Sequence, residues 1–301
     1  MDKVIKIESI SQLHELIGYE KPKHPLISLI DYSKTKPVIS TAHLHIITSF
    51  YSINLKDGPS CKTKYGRQYY DFQEGSLVFL APEQAVYIEE DQPEEPESIG
   101  WNLCFHPDLI YKSSLSQKMN DYTFFTYNHN EALHLSDQEK QKITDIVYEI
   151  KNEFSQNMDA FSQDLIISQL ELFLNYCKRF YSRQFITRTK VNRKVIIRFE
   201  EFLKGYFNSD KLELLGLPSV KYCAQTMGYS PNYLSDVLKK ETGKNTLEHI
   251  HLHLIEKAKT LLLGTDKPVN IIASELGFEY PQHFSKLFKN KTGMSPAEYR
   301  N

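Results

Sequence analysis

Two runs in the last quarter of the chain carry side chains suited to reading the edge of a base pair. Asn232, Ser235, Asp236, Lys239 and Lys240 fall in the first, Ser230 to Gly243. Gln282, His283, Ser285, Lys286, Lys289 and Lys291 fall in the second, Tyr280 to Gly293. Asn and Gln can pair bidentately with adenine, Lys can donate to guanine, and Asp can accept from cytosine N4. Lysines that miss the bases meet phosphates, which fix register without reading sequence. Taken singly, each of these residues is as readily a solvated surface group.

The elements that must position them read as two copies of one unit. Ala224–Gly228 and Ala273–Gly277 are short apolar helices ending in glycine, where the turn favours a residue tolerant of positive φ. Ser230 is a good N-cap and Pro231 a good first helical residue. Tyr233, Leu234, Val237 and Leu238 face inward in one copy, and Phe284, Leu287 and Phe288 in the other. A repeat of about 49 residues is a duplicated supersecondary unit. Between the copies, Leu247 to Leu263 has the spacing of one helix. It is a stiff spacer of about 24 Å that could hold two recognition helices on one face of DNA, where successive major grooves lie about 34 Å apart.

Charge supports this division. Residues 187–301 hold 18 Lys and Arg against 12 Asp and Glu, and the remainder holds 18 against 26. A polyanion partner suits the C-terminal part alone. The four cysteines, Cys61, Cys104, Cys177 and Cys223, form no CxxC pair and read as reduced, mostly buried thiols of a cytoplasmic protein. No apolar run reaches the length of a membrane span, and the first residues lack a signal-peptide core.

The last hundred residues resemble the AraC/XylS family of transcription regulators. The motifs are Glu256-Lys-Ala-Lys-Thr-Leu-Leu262, then Val269, Ile272-Ala273 and Leu276-Gly277-Phe278, then Phe284-Ser-Lys-Leu-Phe-Lys289, Thr292-Gly293-Met-Ser-Pro296 and Tyr299-Arg300. The resemblance implies a seven-helix domain with two helix–turn–helix units, each inserting one helix into the major groove. Carried over by position, the first recognition helix exposes Asn232, Ser235, Asp236 and Lys239, and the second Gln282, His283, Ser285, Lys286 and Lys289. We assign base contacts to Asn232, Ser235, Asp236, Gln282, His283, Ser285 and Lys286, and phosphate contacts to Lys239, Lys240, Lys289 and Lys291. Where the family usually has an Arg, two residues before Glu256, this chain has Leu254. The first copy also carries Asp236, a carboxylate that repels phosphate unless it reads a cytosine, so the second copy is expected to dock in the standard way and the first to deviate.

The N-terminal part reads as short strands separated by turns: His45–Leu55, Gln68–Phe72, Gly75–Leu80, Ala85–Glu89 and Trp101–Phe105, with the acidic stretch Glu89–Glu97 before the last. His43-Leu-His45, Tyr65-Gly-Arg67, Tyr70–Pro82 and Gly100-Trp101 look like the cupin-like sensor barrel of the same family. The fold expected is α+β and multidomain. It comprises a cupin-like antiparallel barrel over 1–130, a helical extension over 131–186 suited to dimerisation, a linker over 187–194 and an all-α DNA-binding domain over 195–301. Ser136 and Glu139 form a capping box, and a helix near 162–181 carries two apolar stripes, one of them a candidate dimer seam.

Tyr51, Arg67, Tyr69 and Trp101 are candidates for holding a small-molecule effector in the barrel mouth, with Arg67 suited to a carboxylate or phosphate; core packing explains the aromatics equally well. The expected partners are operator DNA, such an effector, a second copy of the chain and RNA polymerase, with no membrane. No cofactor and no catalytic residue is expected. The competing reading is a cupin-type metal enzyme with an appended DNA module. It needs a carboxylate soon after His43 and His45, where Thr48 and Ser49 stand, so no metal site is expected. A DNA-repair alkyl acceptor would need a cysteine cluster near Cys61, which stands alone there. A ligand-free architectural DNA binder would leave the barrel without a role.

Overall fold

The computed structural model describes residues 3–36, 44–57, 64–65, 68–69, 75–88 and 99–301. The chain divides into two compact units, Met1–Ile186 and Thr187–Asn301.

In the first unit, strand β1 (Lys3–Ile7) leads through helix α1 (Ile10–Leu16) to β2 (Ile27–Asp31), β3 (Leu44–Thr48) and β4 (Tyr51–Asp57). The short β5 (Lys64–Tyr65) and β6 (Gln68–Tyr69) follow, then β7 (Ser76–Leu80), β8 (Ala85–Ile88) and β9 (Ile99–Phe105). Helix α2 (Ser114–Lys118), four short 3-10 turns, β10 (Leu133–His134), α3 (Asp137–Ser155) and α4 (Ser162–Thr187) complete the unit. Three sheets result, ordered β1-β3-β8, β10-β7-β4-β9-β2 and β5-β6. Among the described strands only the β1–β3 pair is parallel. The α+β organisation expected is observed, and the described strands form three sheets without closing a barrel.

The expected single strand His45–Leu55 is likewise two strands in two different sheets. β3 pairs with β1 and β8, whereas β4 pairs with β7 and β9. The break lies at Ser49–Phe50, where the Ser49 amide bonds the Ile7 carbonyl and the fully buried Phe50 ring joins a core with Ile7, Ile10, Ile30 and Cys104. One hydrophobic run therefore spans a crossover, because Phe50 is buried on the path between sheets.

The five-stranded sheet is covered on one face by helices. Register puts Tyr51 beside Phe105, Ile53 beside Leu103 and Leu55 beside Trp101. On that face Phe79 meets Phe124, Phe125 and Tyr181, and Trp101 meets Phe173 of α4 edge-on at 6.3 Å. The capping box at Ser136 and Glu139 starts α3, whose Ile143, Ile146, Val147, Ile150 and Phe154 are all buried. On α4 the stripe Ile166, Leu170, Leu174 and Cys177 is buried, while Leu165 and Leu172 are exposed.

The second unit is helical throughout: α5 (Thr189–Phe207), α6 (Lys211–Leu215), α7 (Val220–Met227), α8 (Pro231–Thr242), α9 (Thr246–Gly264), α10 (Val269–Glu275), α11 (Pro281–Thr292) and α12 (Pro296–Arg300). The stretch 187–194, expected as a linker, is helical except at Arg188, because the Val191 and Asn192 amides bond back to the Arg188 carbonyl and Asn192 is buried against Glu241. Among the described residues no helix is long and apolar enough to cross a membrane.

Candidate nucleic-acid interface

The first copy is set by its caps. The Ser219 hydroxyl accepts the Tyr222 N–H to start α7, which ends at Gly228 in the left-handed region at φ 78°. Three residues later α8 opens with Ser230 accepting the Tyr233 N–H and Pro231 at its first position. Tyr233, Leu234, Val237 and Leu238 are buried, which leaves Asn232, Lys239 and Lys240 exposed and Asp236 half-buried. The Ser235 hydroxyl faces the other way, 2.9 Å from Thr246 Oγ1 at the start of α9. Its distance to that partner was not legible in the helix pattern, which gives a face but not what the face meets.

The second copy repeats the plan with a longer connection, five residues from Leu276 to Tyr280 against three from Gly228 to Ser230. Phe284 and Phe288 anchor α11, and Tyr299 of α12 closes on Phe288 edge-on at 5.4 Å. Gln282, His283, Lys286, Lys289 and Lys291 are exposed and Ser285 is half-buried. α11 lacks a side-chain cap, because Tyr280 stands where Ser230 stands in α8.

Among the described residues Lys239, Lys240, Lys286, Lys289 and Lys291 form no salt bridge with a carboxylate, whereas Lys259 and Lys267 are paired with Glu256 and Glu275. α8 and α11 thus carry five exposed lysines with no carboxylate to give up before meeting an anion.

α9 joins the copies as one helix of 19 residues, about 28 Å long. Asn245 and Glu248 cap it reciprocally, and Ile250, Leu254, Ile255, Ala258 and Leu262 are buried. Leu254, at the place of the family's Arg, is wholly inside the core. α9 is tied to α5 by a contact the sequence did not disclose: Glu200 takes His249 Nδ1 at 2.7 Å and His253 Nε2 at 2.8 Å. Those hydrogen bonds, that of His249 first, hold the Glu200 carboxyl down at about 2. Arg300 fastens the other end, donating to the Leu262 and Lys267 carbonyls. The run of basic residues read as linker proves to place Arg193, Lys194 and Arg198 on the exposed side of α5.

The effector candidates lie in the first unit. Tyr51 stacks on Phe105 at 5.0 Å and meets Phe125, and burial pushes its phenol up. Trp101 is buried, and its indole N–H donates to Thr144 Oγ1 at 3.4 Å. Both sit on the helix-covered face of the sheet. Arg67, the Tyr69 side chain and His43 lie outside the described residues. His45 pairs in register with Tyr87. No group of three or more His, Cys, Asp or Glu among the described residues could hold a metal ion. Cys104, Cys177 and Cys223 are buried free thiols, and burial pushes those of Cys104 and Cys223 up to about 12 and about 11.

The opposite face of the sheet carries a polar network that sequence inspection passed over. The Tyr32 hydroxyl and the Asn102 amide both donate to Asn54 Oδ1, each at 2.5 Å, and Asn102 donates its second proton to Ser52 Oγ at 3.3 Å. Asn102 Oδ1 is buried and accepts from none of the described residues. Alternation along β4 and β9 was the available signal, since Ser52, Asn54 and Asn102 share one face by register.

Residues 223–301 match the family model described as a helix-turn-helix domain. The chain is 33% identical over 97 residues to the uncharacterized HTH-type transcriptional regulator YobQ of Bacillus subtilis (strain 168), covering 32% of this chain and 39% of that protein. It is 35% identical over 77 residues to the arabinose operon regulatory protein of Escherichia coli (strain K12), covering 26% of each. The match thus spans less than half the length of either relative. Among solved structures, the C-terminal domain of AraT, a response regulator from Geobacillus stearothermophilus, is 30% identical with a TM-score of 0.31, covering 35% of this chain and 83% of that one. The C-terminal unit is a helix-turn-helix domain. Residues 223–301 of it are the part that this chain shares with those regulators.

Proposed function

We propose that the chain regulates transcription by sequence-specific binding of duplex DNA, with α8 and α11 in two major grooves of one operator. The observation that carries this is the pair of recognition helices bearing exposed amides and unpaired lysines, held by the single helix α9. Asn232, Asp236, Gln282, His283, Ser285 and Lys286 are the proposed base readers, and Lys239, Lys240, Lys289 and Lys291 the phosphate contacts. Ser235 stays a proposed reader only if binding releases it from Thr246. The test is selection of bound duplexes from a random pool by the full chain: enrichment of one motif supports the reading, and recovery of unselected sequence counts against it.

The first unit is proposed as the sensor for a small-molecule effector. The buried Tyr32–Asn54–Asn102–Ser52 network supports this, because an orphaned acceptor in a buried polar set is the kind of group that a ligand's donor can satisfy. Tyr51, Arg67, Tyr69 and Trp101 remain proposals, with Trp101 the weakest since its indole is already bonded. A homodimer through the exposed Leu165 and Leu172 stripe of α4, activation through RNA polymerase and a cytoplasmic location belong to the same proposal. Melting of the full chain against a library of small metabolites tests the sensor role.

A further inference from the structure

The first turns of α3 and the last turns of α4 flank an open concavity of about 350 Å³, on the same side of α4 as the exposed Leu165 and Leu172. Its base is aromatic: the Tyr176 and Phe180 rings lie 5.8 Å apart, and Phe180 is buried. Its rim is cationic, with Lys142, Arg179 and Arg183 against one acid, Glu139. The Arg183 guanidinium is already committed. It donates through Nε to Glu139 Oε1 at 3.0 Å and through Nη2 to Glu139 Oε2 and to the His134 carbonyl. That pair is neutral and holds the wall.

Two cations are left over. The Lys142 ammonium lies over the Tyr176 ring, 5.4 Å from its centroid, and forms no salt bridge among the described residues. Arg179 is exposed and pairs with no carboxylate among the described residues. Of the exposed acids of α3, Asp145 accepts from Gln141 at 2.7 Å and Asp137 is paired with Lys140.

We infer that this concavity binds a small organic anion with a flat apolar body, the body on Tyr176 and Phe180 and the carboxylate or phosphate between Lys142 and Arg179. The volume is at the small end of ligand sites, which run from about 300 to 1,000 Å³. It admits a one- or two-ring compound. A guanidinium and an ammonium on opposite walls favour a carboxylate or phosphate over a neutral isostere. The site is distinct from the Tyr32–Asn54–Asn102–Ser52 network, which lies on the face of the sheet away from α3 and α4. Arg183 links it to β10 through the His134 carbonyl, and α4 runs on to Thr187 at the start of the second unit.

Trp101 offers a built-in reporter. It is the chain's one tryptophan, bonded to Thr144 two residues past Lys142 and packed on Phe173 three residues before Tyr176. The experiment titrates the full chain with 2-naphthoate, 2-naphthyl phosphate and neutral 2-naphthamide by calorimetry, with Trp101 emission as a check that each variant is folded. The expected result is binding of both anions below about 1 mM, with the amide about tenfold weaker. Arg179→Ala and Lys142→Ala should each weaken the anions about five- to tenfold. Lys178→Ala, whose ammonium lies over Tyr122 instead, should leave them unchanged. Equal affinity for amide and anions, binding untouched by Arg179→Ala and Lys142→Ala, or no anion binding at millimolar concentration would each overturn the inference.

Discussion

A Cβ placed on Gly277 would stand 2.6 Å from the Cα of Gly216, so the turn of the second helix–turn–helix is locked against the loop that follows α6. Gly277 also sits at φ 80°. Gly228, its counterpart in the first copy, has the same left-handed backbone at φ 78° but nothing within 4 Å. The two glycines thus answer different demands, one conformational and one both conformational and steric. Gly228→Ala should cost about 1–2 kcal/mol, the price of a left-handed alanine. Gly277→Ala should cost about 3–4 kcal/mol, since the backbone must also move. Urea denaturation followed by helix dichroism checks both, and equal losses would remove the distinction between the copies' turns.

Glu200 makes the DNA-binding unit sensitive to acid. Its carboxyl is lowered from 4.5 to about 2 by the hydrogen bonds from His249 and His253. A depressed carboxylate contributes stability that is complete above the unfolded value and is lost as pH falls through 4.5 towards 2. Glu200→Gln should therefore lower the melting temperature at pH 6, and the difference from the native chain should shrink to nothing near pH 2. A gap that persists at pH 2 would show that Glu200 acts through shape and not through charge.

Asn54 is the hub of the polar network in the first unit, accepting from both Tyr32 and Asn102. Asn54→Ala leaves two buried donors short of an acceptor and should destabilise this unit by about 2 kcal/mol. Trp101 emission during urea unfolding reads that unit alone, because the second unit has no tryptophan. A loss well under 1 kcal/mol would mean that water reaches these donors freely.

Ser235 and Ser285 occupy matched places on α8 and α11, yet only Ser235 is bonded to the following helix through Thr246. Ser235→Ala should change stability by about 1 kcal/mol and leave sequence preference intact, whereas Ser285→Ala should do the reverse. Melting curves together with binding to a panel of single-base variants of the selected duplex separate the two effects.

The second unit was the more legible half for a physical reason. Its helices are amphipathic with strong caps, so Ser230, Pro231, Gly228 and Gly293 mark their own boundaries and Phe284 and Phe288 their own core. What stayed hidden there was pairwise. His249 and His253 announce a shared face, but nothing local names Glu200, 49 residues earlier than His249, as their partner. The stretch 187–194 looked like a linker because its charges mask the helical pattern, and only the burial of Asn192 against Glu241 shows why it is ordered. In the first unit, alternation located β7, β8 and β9 closely, yet it could not reveal that His45 and Leu55 belong to different sheets. Nor could it show that Trp101 packs under α3 and α4 instead of opening to solvent. Strand partners are long-range facts, and period alone does not carry them.

The central claim is that exposed side chains of α11 read bases while the lysine beside α8's end meets phosphate. The most direct measurement is binding of the full chain and of Gln282→Ala, Lys286→Ala and Lys240→Ala to the selected duplex and its single-base variants, across a salt series. The account predicts that Gln282→Ala and Lys286→Ala each relax preference at one position, by about 1–3 kcal/mol of discrimination. Lys240→Ala should weaken every duplex evenly and lower the salt slope by about 0.9. Three equal, sequence-independent losses would contradict it.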